Sequence, residues 1–170
     1  MKTICKPAKV WYLEMINLET SKIEEEKFQI KLQENINLEE YKLRYHKVGG
    51  KWNWANRLIM DDDKLRSLLN DPKNEIYYAY YNNSFVGYFE LDCHQKDVEL
   101  VYFGLLPEFM GKGLGKLLMQ SVLQRANQHQ TQRLWLHTCE FDSPQALNFY
   151  IKNGFIIYDE KIEDQLIITK

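Results

Sequence analysis

The sequence predicts a single α/β domain over residues 1–170, and three observations carry that expectation. The first is length: 170 residues suit one domain and can bury a core of useful size. The second is a strand–loop–helix unit. Val98 to Leu106 is an extended apolar run rich in Val, Tyr and Phe that ends at Pro107. Gly111, Gly113 and Gly115 follow, and Leu114, Leu117, Leu118, Val122 and Ala126 then recur at helical spacing. The third is a hairpin, Ile76–Tyr81 and Phe85–Asp92, on either side of the turn-forming cluster Asn82-Asn83-Ser84.

Taken in chain order, Val10 to Met15 reads as a first strand, and the alternation of Phe28, Ile30 and Leu32 with Gln29 and Lys31 makes Lys27 to Gln33 a second. The Glu24-Glu25-Glu26 run between them is a solvated loop. Asn37 with Glu40 forms an N-cap signature, and Leu38, Tyr41, Tyr45 and Val48 then share one helical face as far as Gly49-Gly50. A short helix is expected over Asp62–Leu69, capped within Asp61-Asp62-Asp63 and ended before Pro72. The hairpin and the Val98 strand come next. In a symmetric second hairpin Glu90 lies opposite Glu99, and strand alternation places Glu99, Val101, Phe103 and Leu105 on one face. Beyond the central helix, Arg133 to Glu140 is a strand, Ser143-Pro144 a helix start, and Asn153-Gly154 its stop. Phe155–Tyr158 and Leu166–Thr169 read as a closing hairpin.

Composition narrows the function classes. A formal net charge of −2 with interspersed signs argues against a nucleic-acid or membrane-surface binder. The opening stretch lacks the apolar core of a signal peptide, and no apolar run reaches membrane-spanning length. Three widely spaced cysteines without a C-x-x-C pair point to a reduced, cytoplasmic setting. His137 and Cys139 are two donors only, read as strand packing, and no metal is expected.

The strand, glycine loop and helix aim several free N–H groups and the positive end of a helix dipole at one point, which is an anion site. Its spacing excludes two nucleotide motifs. Met110 and Leu117 break the Walker pattern, and Lys116 stands where a dinucleotide fingerprint needs its third glycine. Met110-Gly111-Lys112-Gly113-Leu114-Gly115 instead resembles the pyrophosphate loop of the GNAT acetyltransferases, [QR]-x-x-G-x-[GA], with Met110 replacing the usual Gln or Arg and Lys112 as a partial stand-in. Ser143-Pro144-Gln145-Ala146-Leu147-Asn148-Phe149-Tyr150, continuing to Gly154-Phe155, resembles that superfamily's second signature, N-x-x-A-x-x-x-Y leading to G-F, with Ser143 in the Asn position.

The resemblance implies a mixed, mostly antiparallel sheet with flanking helices, whose central strands Val98–Leu106 and Leu134–Cys139 splay to admit acetyl-coenzyme A. It assigns Leu105, Leu106, Met110, Gly111, Lys112, Gly113, Leu114, Gly115, Lys116, Ser143, Asn148 and Tyr150 to that co-substrate. A free backbone N–H near Leu105 or Leu106 meets the thioester oxygen, Tyr150 serves as the acid for the departing thiolate, and Glu99, with Glu90 as its partner or substitute, serves as the base. The implied reaction is direct acetyl transfer to a primary amine of a small molecule or peptide, in a monomer or homodimer. A non-catalytic acyl-coenzyme A sensor on the same scaffold is the competing class. Trp52, Trp54 and Arg57, between the first two helices, are candidates for holding the acceptor; the other reading makes the indoles core plugs and Arg57 a surface cation.

Overall fold

One seven-stranded sheet with helices packed against it organises the chain, and the computed structural model describes residues 2–169. The strands are β1 (Lys2–Ile16), β2 (Phe28–Leu32), β3 (Asn74–Tyr81), β4 (Ser84–Asp92), β5 (Val98–Leu105), β6 (Arg133–Cys139) and β7 (Ile156–Thr169). The helices are α1 (Leu38–Gly49), α2 (Asn56–Ile59), α3 (Asp62–Leu69), α4 (Leu114–Gln128) and α5 (Ala146–Lys152). Across the sheet the order is β2-β3-β4-β5-β6-β1-β7, and only β5 and β6 run parallel.

Local chemistry sets most of these elements. The Asn37 side chain accepts from Glu40 N at 3.0 Å and starts α1. Asp61 Oδ1 accepts from Asp63 N and Lys64 N, both at 3.1 Å, and starts α3. Asn82 and Asn83 take φ of 48° and 63°, the left-handed pair that a two-residue hairpin turn requires. Alternation along the strands then builds a core on each side of the sheet. Phe89, Leu91, Leu100 and Leu105 pack on α4 and on Tyr150 of α5. Ile76, Tyr78, Tyr88 and Leu106 pack on Tyr41 and Tyr45 of α1 and on Leu65 and Leu69 of α3. Among the described residues no helix is long and apolar enough to cross a membrane.

Four sequence expectations are corrected. Glu90 pairs with Tyr102, not Glu99, and Glu99 pairs with Asp92. The register shifts between Glu90 and Leu91, leaving Val101 as an extra residue in β5, and it follows the joint burial of Leu91 and Leu100 in one core. This bulge also resets the alternation. Leu100, Phe103 and Leu105 face α4 and α5, while Tyr102 faces α1, so Glu99 shares the side of Tyr102 rather than that of Phe103 and Leu105.

Between α1 and α3 the chain forms a 3₁₀ turn, Gly50–Trp52, and the short α2, elements on which the sequence carries no expectation. Helix α5 begins at Ala146, later than Ser143-Pro144 suggested. Ser143 instead closes a turn, its carbonyl accepting from Ala146 N at 2.8 Å. The closing hairpin is a single strand, β7, and β1 occupies the place between β6 and β7. The polar residues from Asp159 to Gln165 pair with β1 instead of turning, with Lys9 bound to Glu160 at 2.7 Å and Tyr12 Oη donating to Glu163 at 2.8 Å.

Candidate active site

Strands β5 and β6 pair only at Val98 with Leu134 and Glu99 with Trp135, then diverge, as the expected splay requires. The gap is a cleft of about 600 Å³. It is lined from both sides of the sheet: by Tyr45, Trp54 and Tyr102 on the α1 side, and by Phe103, Phe149 and Tyr150 on the α4–α5 side. The cleft therefore passes through the sheet.

At its α4 end lies the glycine loop. Gly111 and Gly113 take φ of +73° and +80°, and a Cβ at either meets nothing within 4 Å, so dihedral angle rather than crowding calls for glycine. That open space is where a ligand can approach the amides. Gly115 differs, since a Cβ there would lie 3.2 Å from Phe149 Cε2 and crowd that ring. The amides of Gly111, Lys112 and Gly113 donate to no backbone carbonyl among the described residues, and those of the first turn of α4 lack intrahelical partners by geometry. Met110, Gly111, Gly113, Gly115 and Lys116 line the cleft. Lys112 does not, because its ammonium sits over the Phe109 ring at 5.3 Å. Leu114 is buried in the core beneath the loop.

Two neighbouring amides at the end of β5, those of Leu105 and of Leu106 just beyond it, differ. Leu106 N donates to Val86 O at 2.8 Å, so it is not a free donor. In an antiparallel ladder the next residue along presents its N–H to the other side, and Leu105, paired with Gly87, therefore faces the gap left by β6. Tyr150 lines the cleft among the rings of Phe103, Phe149 and Phe155, at 6.1, 5.7 and 6.0 Å, and burial holds its phenol proton well above the usual range. Ser143 lines the cleft, whereas Asn148 is exposed and lines only a small adjoining cavity, with Trp11 and Leu147, that Ser143 also borders.

The carboxylates divide sharply. Glu90 is 3% exposed; it accepts from Tyr41 Oη and, at 3.0 Å, from Arg57 Nη2. Arg57 is itself buried, stacks on Tyr102 at 5.1 Å, and does not line the cleft. The expectations that Arg57 holds the acceptor and that Glu90 shares a base role are thus not met by the geometry: the two neutralise each other beneath the cleft wall. Trp54 is largely a core plug, its ring packed against Gly49 and Gly104 with one edge in the cleft, and Trp52 is half-buried at the rim.

Glu99 is partly buried, and burial, with Asp92 beside it, pushes its carboxyl up to about 7, against an opposing pull from Arg57. It does not line the cleft, but His137 does, and His137 Nε2 lies 3.9 Å from Glu99 Oε1. Burial lowers the His137 pKa below its ordinary value, against the carboxylates of Asp142 and Glu163. Sequence reasoning took His137 for packing. The available signal was strand alternation, which sets His137 opposite in sense to Leu134, Leu136 and the buried Thr138. Away from the cleft, at the C-terminal end of α4, Glu75, Cys93 and His129 gather with donor atoms within 4.8 Å, His129 pairing with Glu75 at 2.8 Å.

The chain is thus a split-sheet α/β protein with a loop of amides lacking backbone partners at one end of a through-sheet cleft. Residues 35–155 match the model of the Acetyltransferase (GNAT) family, and the chain belongs to that family. An uncharacterised N-acetyltransferase of Mycobacterium tuberculosis is 37% identical over 95 residues, which make up 55% of this chain and 60% of the relative. Among solved structures, a PaiA N-acetyltransferase from Thermoplasma acidophilum in complex with coenzyme A superposes with a TM-score of 0.57 at 19% identity, covering 80% of this chain and 99% of that one. A GNAT family acetyltransferase from Elizabethkingia anophelis with acetyl-CoA bound gives 0.60 at 21% identity, with 79% of each chain covered. These two likenesses are of fold.

Proposed function

We propose that the protein is an acetyl-coenzyme A-dependent N-acetyltransferase that passes the acetyl group to a primary amine by direct attack on the thioester. The observation that carries this reading is the through-sheet cleft. It offers loop amides at one end, a free β5 amide midway, and a proton-accepting carboxylate reached through a histidine at the other. The coenzyme complexes of the two structural neighbours and the matched family support the choice of co-substrate. The positive-φ glycines and unpaired amides fit a diphosphate.

Each side chain has one duty in this reading. The Gly111–Lys116 loop anchors the phosphates, and Lys116 adds a charge to them. Leu105 N–H meets the negative charge that develops on the carbonyl oxygen. An acceptor amine is protonated near pH 7 and must lose that proton before its lone pair can attack. His137 receives the proton at the cleft and passes it to Glu99, whose raised pKa makes it a competent base near neutrality. The N–C bond forms, the C–S bond breaks, and Tyr150 holds the proton nearest the departing sulfur. Steady-state release of free coenzyme A on a panel of amines tests the reading. Binding of acetyl-coenzyme A without release on any amine would favour a non-catalytic acyl-coenzyme A module.

A further inference from the structure

The geometry points to the class of acceptor: we infer that it is a primary amine on an aromatic or apolar body carrying no further positive charge, rather than a polyamine or aminoglycoside. The inference rests on the transferase reading above and concerns the α1 side of the same cleft.

Three rings form that wall. Tyr45, Trp54 and Tyr102 have centroids 5.6, 5.1 and 5.0 Å apart, and Tyr45 Oη donates to Tyr102 Oη at 3.2 Å. The wall is fixed in place. A Cβ on Gly49 would fall 2.0 Å from the Trp54 ring, and one on Gly104 would fall 3.3 Å from it, so two glycines make the slot that holds this indole. Trp52 and Val48 extend the apolar surface, and Asn53 and Asn56 supply neutral amides. A rigid aromatic wall of this kind favours a flat or apolar body, which loses little by being held against it.

Charge decides against polycations. Among the described residues lining the cleft the only acid is Asp142, and its carboxylate already accepts from Thr138 Oγ1 at 2.6 Å and Cys139 N at 3.0 Å. Glu90 is neutralised by Arg57 beneath the wall. Asp142 can therefore meet one extra ammonium at most, and any further ammonium of a polyamine would lose its water here without meeting a carboxylate.

Acetyl-coenzyme A turnover with phenethylamine, spermidine and kanamycin tests this. The kcat/KM for phenethylamine should exceed that for the other two at least tenfold. Trp52→Ala, at the rim, should raise the phenethylamine KM while leaving acetyl-coenzyme A affinity unchanged. Asn53→Asp, nearly isosteric and at a left-handed position (φ 60°) that Asp tolerates, should raise spermidine turnover relative to phenethylamine several-fold. Preference for spermidine or kanamycin in the unaltered protein overturns the inference and leaves acetyl transfer standing. Turnover of none of the three while another amine of the panel is acetylated overturns the inference alone, and no release on any amine, with acetyl-coenzyme A bound, overturns both.

Discussion

Glu99→Gln tests the chemical step and the physics behind it together. Glutamine copies the protonated carboxyl in shape and cannot ionise. The carboxyl is raised from an ordinary 4.5 to about 7, so the folded protein holds a proton that the unfolded chain releases. Between those values the folded state binds more protons, and stability falls as pH rises, reaching a loss of about 3 kcal/mol above pH 7. Glu99→Gln removes that cost. Urea unfolding should find the variant only slightly more stable than wild type at pH 5, and about 2 to 3 kcal/mol more stable at pH 8.5. Activity should move the opposite way. The kcat falls roughly a hundredfold, and the acidic limb of kcat/KM, with an apparent pKa near 7, disappears. A variant with no pH-dependent gain in stability would refute the burial argument. An acidic limb that survives in Glu99→Gln but vanishes in His137→Gln would transfer the base to His137.

Other predictions address the remaining parts of the cleft. Gly113→Ala puts a Cβ into open space at φ +80° and should weaken acetyl-coenzyme A binding by at least about tenfold, or 1.4 kcal/mol, by calorimetry; unchanged affinity in a folded variant removes the phosphate-loop assignment. Arg57→Ala leaves a buried carboxylate unpaired and should cost about 3 to 5 kcal/mol in urea unfolding, partly recovered by adding Glu90→Gln; a cost under about 1 kcal/mol would show that the pair is not closed. Tyr150→Phe should slow turnover less than Glu99→Gln does, because a thiolate departs without full protonation. A larger loss in kcat for Tyr150→Phe would make the leaving-group proton the dominant requirement.

What the sequence revealed and what it concealed follow from how local each cause is. The Asn82-Asn83 turn, the Asn37 and Asp61 caps and the positive-φ glycines of the loop are set within a few residues, so they can be read from the chain. The bulge at Val101 is not local. It records which residues of two strands are buried together, and one extra residue moves Glu90 from opposite Glu99 to opposite Tyr102. Tyr41, Arg57 and Glu90 have no shared motif, since they come from α1, α2 and β4 and meet only in the folded core. Arg57 reads as an accessible cation until the unexpected turn of α2 directs it inward. Strand β7 misled for a related reason: a polar stretch suits an edge strand with one exposed side as well as it suits a turn.

The buried Arg57–Glu90 pair raises the question of why an ion pair rather than two apolar residues holds α2 to the sheet. Stability alone does not require it, because well-packed apolar replacements of buried pairs are often neutral or better. Electrostatics supplies a reason. Arg57 acts to lower the Glu99 pKa, against burial and Asp92. It also stacks on Tyr102, so the same guanidinium stiffens the cleft wall and limits how basic the carboxyl becomes. The double variant Arg57→Met with Glu90→Leu separates the two duties. It should fold with no unpaired charge left behind, at a cost of about 1 to 3 kcal/mol for the buried Tyr41 hydroxyl that loses its acceptor. Without the guanidinium, the Glu99 pKa rises further, so the acidic limb of kcat/KM should move to higher pH and activity at pH 7 should fall, with activity at pH 9 largely kept. A limb that stays in place, or moves to lower pH, would show that Arg57 serves the fold and not the base.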